Sequence, residues 1–214
     1  MFKKLLLLSL IVSTSACIST KTITLNNENT GSINNKTIVD LHRDYPIFMD
    51  LRFTEVIFPL LQAFDKGNAR LVDNNIEDPE KEISGVMLQA LQDKYNLKKI
   101  KSNFRGKSSF NVKKISDAFN DVDLVLESRV VQRMVIYYPI NFWIHGLRYH
   151  IQVRLIDTKS SSIIAQGYCK WMPRIRDTAR VGKLYRNNAA MLKEQFKEAK
   201  KVCLGQLKSK LLNI

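Results

Sequence analysis

The amino-acid sequence predicts an α+β domain: an antiparallel β-meander of about three to five strands, covered on one face by helices that include a long C-terminal one. Three features point there. Residues 122–138 are dense in β-branched and aromatic side chains, residues 147–155 alternate apolar and polar without a break, and the C-terminal stretch carries an apolar stripe at helical spacing.

The first element is not part of that domain. Met1-Phe2-Lys3-Lys4 runs into an apolar stretch from Leu5 to Val12, interrupted at Ser9 and closed by Ser13, Thr14 and Ser15. A bilayer span needs about 20 apolar residues. This run is too short to span and has the shape of an export signal. Small residues Ser15 and Ala16 lead into Cys17, and here the sequence resembles a bacterial lipoprotein precursor, with Thr14 at the lipobox position that usually holds Leu. The resemblance implies cleavage after residue 16, acylation of Cys17 with palmitate-type chains, and a membrane anchor without a spanning helix. Ile18, rather than Asp, after the cysteine implies sorting to the outer membrane, facing the periplasm. A secreted protein cut near Ala16 is the alternative.

Residues 17–36, rich in Asn and Thr, are expected to be a lipidated N-terminus and flexible spacer. Residues 37–214 are then one periplasmic α+β domain. With 45% apolar residues and only 8 Gly and 5 Pro, the chain has the composition of a folded protein.

Between Tyr45 and Phe64, Pro46 and Pro59 predict a short extended piece followed by a helix that stops near Gly67. Asp78-Pro79-Glu80 is a helix start, with Asp as cap and Pro in the first turn. Ile83, Val86, Met87, Ala90 and Leu91 follow on one face, and the helix should end near Tyr95. Residues 122–138 form a long strand. In the next, Leu147, Tyr149, Ile151, Val153 and Leu155 are expected inside, and Arg148, His150, Gln152 and Arg154 outside on a wet face. The turn 157–161 leads into a third strand, Ser162–Trp171. The final helix puts Ala189, Leu192, Phe196, Ala199, Cys203, Leu207 and Leu211 on one stripe, which must cover the apolar side of the meander.

That packing brings two cysteines to one interface. Cys169 sits on the inner face of the third strand and Cys203 on the inner stripe of the helix, so a Cys169–Cys203 disulfide is predicted, closing a loop worth about 3–4 kcal/mol. Two buried thiols are the other outcome.

Net charge is +14, and the excess is concentrated. Residues 94–114 hold eight basic residues and no acidic one. Lys98, Lys99, Lys101, Arg105, Lys107, Lys113 and Lys114 are candidate anion-binding residues, toward anionic lipid, lipopolysaccharide or cell-wall polymer after export; a solvated loop is the simpler alternative. No nucleic-acid partner is expected outside the cytoplasm. Gly106-Lys107-Ser108 resembles the end of a phosphate loop but has Lys101 where that loop needs Gly. His42, His145 and His150 lack metal-ligand spacing, no cofactor or metal is expected, and no local catalytic signature is present, so the expectation is a protein that is not an enzyme.

The stretch LRYHIQVRLIDTKSSSIIAQG, from Leu147 to Gly167, is similar to the sheet of auxiliary lipoproteins of ABC-type lipid transport systems. That resemblance covers roughly residues 120–170 and implies a non-catalytic accessory or assembly role in the envelope, with an envelope protein as partner.

Overall fold

The alternation at residues 147–155 becomes the middle strand of an antiparallel meander. In a computed structural model, which describes residues 21–25, 33–42, 48–50, 60–101, 111–138 and 141–212, Leu147, Tyr149, Ile151, Val153 and Leu155 are all fully buried. They belong to β5 (Asn141–Asp157), flanked by β4 (Leu124–Tyr138) and β6 (Ser162–Trp171), each antiparallel to it. The three form the expected meander.

The sheet does not stop there. It has six strands in the order β3-β1-β4-β5-β6, with the short β2 also against β4. Here β1 is Thr37–Leu41, β2 Met49–Asp50 and β3 Lys98–Lys99. All three run parallel to their neighbours, so the sheet is mixed and not a pure antiparallel meander. Parallel neighbours need crossover connections, and helices supply them. Between β1 and β3 lie α1 (Leu60–Asp73) and α2 (Pro79–Tyr95); between β3 and β4 lies α3 (Val112–Ala118). Thr37 is tied to the start of β4 by its N–H and hydroxyl, which donate to Asp123 Oδ2 at 3.0 and 2.7 Å.

The two faces are covered unequally. α2 and the long α5 (Arg186–Leu207), preceded by the short α4 (Val181–Leu184), pack on the Leu147–Leu155 side. The predicted stripe of α5 is buried at every position from Ala189 to Leu207. α3 covers one end of the opposite face with Ile115, over Val39, Val125 and Ile156. The rest of that face is less wet than alternation predicts. Gln152 and Arg154 are buried, because Arg154 pairs with Glu127 across the β4–β5 ladder and Arg129 Nε donates to Gln152 Oε1 at 2.7 Å.

α2 starts as its sequence predicts. Asp78 caps it by accepting from Glu80 N at 3.0 Å, and Asn96 ends it in the left-handed region at φ 52°. α1, by contrast, does not stop at Gly67 but runs on to Asp73. There the missing side chain serves packing: a Cβ on Gly67 would stand 2.3 Å from the Phe48 carbonyl oxygen, so only glycine lets α1 lie against the backbone entering β2.

The expected flexible spacer is also revised. Ile23 pairs with Gln166 on the outer edge of β6, with N–H···O distances of 2.9 and 2.7 Å. Leu25 is buried, its N–H donating to Leu211 O at 3.2 Å, and Ile33 is fully buried. Residues 21–25 and 33–36 therefore belong to the domain. Two apolar side chains separated by a threonine were enough to add a short strand to an open sheet edge. Among the described residues no helix is long and apolar enough to cross a membrane.

Candidate functional site: a charged cleft beside a buried ion-pair cluster

The first turn of α2 faces α5 across a cleft of about 1030 Å³. Its α2 side carries Glu77, Asp78, Glu80 and Glu82 with Lys81 among them; its α5 side carries Lys193, Lys197 and Lys200, with Phe196 between. Lys200 Nζ clasps Glu82 at 2.7 and 2.8 Å across one rim. A cleft with one acidic and one basic wall suits a peptide segment or a zwitterionic group better than a simple ion.

Behind the acidic wall lies a buried cluster. Asp78, besides capping α2, pairs with Arg133 Nη1 at 2.5 Å, and the Arg133 side chain is 1% exposed. Tyr149 is fully buried close by. Burial drives its phenol pKa well above the ordinary value, and the neighbouring carboxylates of Asp78 and Glu80 push the same way. The phenol therefore stays protonated and can only donate or accept a hydrogen bond. A second group joins β2, α1 and the helical C-terminal segment: Asp50 pairs with Arg70 and accepts from Tyr185 Oη at 3.1 Å, while the Arg70 guanidinium stacks 4.7 Å from the Tyr185 ring centre. The first group ties the start of α2 to β4, and the second ties β2 to α1 and to the residue that leads into α5.

The residues predicted from sequence fall elsewhere. Cys17, Arg105 and Lys107 lie outside the described residues. Lys98 and Lys99 form β3 itself, the outermost strand on that side, and are exposed, as is Lys101. Lys113 and Lys114 are exposed in the first turn of α3. These five lysines thus sit on one sheet edge and the helix that follows it, and none lines the cleft. Lysines on an edge strand also block pairing with another chain. Cys169 and Cys203 are both fully buried and bonded to each other, with Cα atoms 5.4 Å apart.

The histidines are dispersed. His145 is buried and its Nδ1 lies 3.3 Å from Trp143 O, while His42 pairs loosely with Asp40. Among the described residues no group of three or more His, Cys, Asp or Glu could hold a metal ion. His150 stands on the other face of β5, edge-on to the Tyr168 ring, with Arg148 and Lys170 near it. Burial and then those two cations push its pKa from 6.5 down to about 4. The folded state thus binds this proton less readily than the unfolded chain, so the contribution is complete above pH 6.5 and is lost as pH falls toward 4. His150→Gln is expected to flatten the loss of stability over that window. Urea midpoints at pH 7 and pH 4.5 check it, and an unchanged difference between the two pH values would remove His150 as the cause.

The cluster was not legible in the sequence as a site. Asp78 was identified as a cap, but Arg133 lay in a strand whose inward face could not be assigned.

No protein-family model and no curated protein matches the chain. Several solved structures align over most of its length at low similarity. A hypothetical protein from Chlamydia trachomatis, CT253, is 11% identical, with 82% of this chain and 97% of that one covered and a TM-score of 0.38. A Xanthomonas campestris protein of the DUF330 family is 10% identical, with 87% and 94% covered and a TM-score of 0.39. Lipoprotein GNA1162 from Neisseria meningitidis is 12% identical, with 74% and 96% covered and a TM-score of 0.28. Likenesses of this strength assign neither a family nor an activity.

Proposed function

We propose that the chain is a periplasm-facing outer-membrane lipoprotein, anchored through Cys17, that works as a non-catalytic accessory or assembly factor of an envelope complex. The auxiliary lipoproteins of ABC-type lipid transport systems are the kind of protein meant. The observation that supports this most is the buried Cys169–Cys203 bridge. Structural disulfides persist in oxidising compartments, which agrees with the export signal expected at the N-terminus. The cleft between α2 and α5, with its opposed charged walls, is where an envelope partner's peptide segment would seat.

A second function, supported by the exposed lysines Lys98 and Lys99 on β3, Lys101 just after it, and Lys113 and Lys114 on α3, is binding of anionic lipid, lipopolysaccharide or cell-wall polymer. Such binding would weaken steeply with salt.

Intact mass of the membrane-extracted protein, beside Cys17→Ala, tests the anchor. The expected result is a mature N-terminus at Cys17 with acyl mass, absent in the variant. Crosslinking in intact cells then tests the role: a specific envelope protein joined near Glu82 or Lys197 supports assembly. Retention only on anionic vesicles, abolished by salt, would replace the assembly role with the second function.

A further inference from the structure

We propose that the far end of the β4–β5 hairpin is a second membrane contact, with Trp143 and Ile175 dipping into the headgroup region of the bilayer that holds Cys17. The inference rests on the lipid anchor proposed above.

The tether is the first argument. Because residues 21–25 are docked on β6, only Ile18, Ser19 and Thr20 separate Cys17 from the domain. Four residue steps reach at most about 14 Å. The edge of β6 that holds residues 21–25 must therefore lie within about that distance of the membrane. Direction is the second argument. Ile23 pairs antiparallel with β6, and β6 is antiparallel to β5, so the docked segment runs alongside β5 in the same sense. Ile23 stands level with Arg154 through Gln166, so the segment, followed back from Leu25 to Lys21, starts nearer the Asp157 end of β5 and heads toward the Asn141 end, where the hairpin ends.

That end has the composition of an interfacial anchor. Of the four exposed large apolar side chains among the described residues, two are here: Trp143 at 75% and Ile175 at 51%. Both are held in place. Trp143 N–H donates to Asn141 Oδ1 at 3.1 Å, and His145 and Ala179 exchange two backbone hydrogen bonds at 2.7 and 3.3 Å. Tyr138 Oη donates to Pro173 O, and Gly146 leaves room for Pro173, whose Cγ would be 2.8 Å from a Cβ there. The segment carrying Ile175 is thus fastened along the hairpin, so little backbone freedom is left to lose on contact.

Charge agrees. Residues 172–184 expose Arg174, Arg176, Arg180 and Lys183 against one acid, Asp177. Tryptophan flanked by basic side chains is what a membrane–water interface favours, since the indole is apolar with one polar edge and the cations meet lipid phosphates.

The test uses the two tryptophans of the chain, Trp143 and Trp171. Full-length mature protein carrying Trp171→Phe is reconstituted into phosphatidylethanolamine–phosphatidylglycerol vesicles with plain or brominated acyl chains. Trp143 emission is expected to shift to the blue and to fall about twofold in the brominated vesicles. Equal emission in both, in a sample whose intact mass shows acylated Cys17, overturns the proposal. If the mass instead shows an unmodified cysteine, the anchor has failed, and the same comparison on that chain decides the hairpin alone: quenching supports it and its absence overturns it. Should Trp171→Phe not fold, the difference in quenching between the wild type and Trp143→Ala reads the same quantity.

Discussion

Asp78→Ala is expected to be among the most destabilising single substitutions in the chain, at about 3–5 kcal/mol, because it strands Arg133 as an unpaired buried charge. Losing the α2 cap adds about 1 kcal/mol. Asp78 is itself 24% exposed, so cleft water softens the first figure toward its lower end. The two contributions separate by substitution. Asp78→Asn keeps a good cap but removes the counter-charge, and should cost nearly as much as alanine. Arg133→Met removes the buried cation, and adding Asp78→Ala to it should cost little beyond the cap. Urea midpoints at constant slope give all four corners of the cycle. If Asp78→Ala and Asp78→Asn both unfold with the wild type, Glu80 alone satisfies Arg133 and the cluster is not built as described.

Loss of the Cys169–Cys203 bridge should rival that effect. Its loop of 34 residues corresponds to about 3–4 kcal/mol in the chain-entropy account. For a domain of this size that is a fall in Tm of about 8–12 °C. The bridge joins β6 to α5 at the centre of the apolar interface, so the reduced protein must hold α5 down by packing alone. Cys169→Ala/Cys203→Ala leaves only small voids and isolates the cross-link itself. Calorimetry of wild type and double variant, each with and without reductant, should show a reductant-sensitive transition only in the wild type. Identical transitions in all four samples would mean the cross-link contributes nothing.

The meander, α2 and the stripe of α5 were legible because each has a period. Leu147–Leu155 alternates since one side meets α5 and the other does not. β1 has no such signal: Ile38 and Val39 are both buried, one in each apolar cluster, and a five-residue strand covered on both faces shows no alternation. β3 is two lysines and carries no pattern at all. Arg133 was hidden by a bulge. The register slips between Val130 and Gln132, so Leu124 and Leu126 face the α2 side of the sheet before it and Arg133 and Val135 after it. One extra residue exchanges the faces, and sequence alone does not say where it falls. The docked segment did leave a trace, Thr22-Ile23-Thr24-Leu25, which alternates like an edge strand within a polar stretch. Glycine lowers helix propensity, so the sequence predicts a stop near Gly67, whereas its packing against Phe48 is a tertiary effect.

The contacts of residues 21–25 also set the order in which the molecule can be completed. Leu25 donates to Leu211 and Thr24 to the carbonyl of Lys210, 186 positions away. A chain exported from its N-terminus can pair Ile23 with β6 once Gln166 has emerged, but Thr24 and Leu25 find their partners only when Lys210 and Leu211 follow. Such distant contacts are slow to form, since nearly the whole chain is the loop being closed. Until those last contacts form, the segment is held on the edge of β6 by the Ile23–Gln166 pair alone. The final step of maturation is then the meeting of the two ends, and a chain shortened by a few C-terminal residues would lose that step while keeping nearly all of its core.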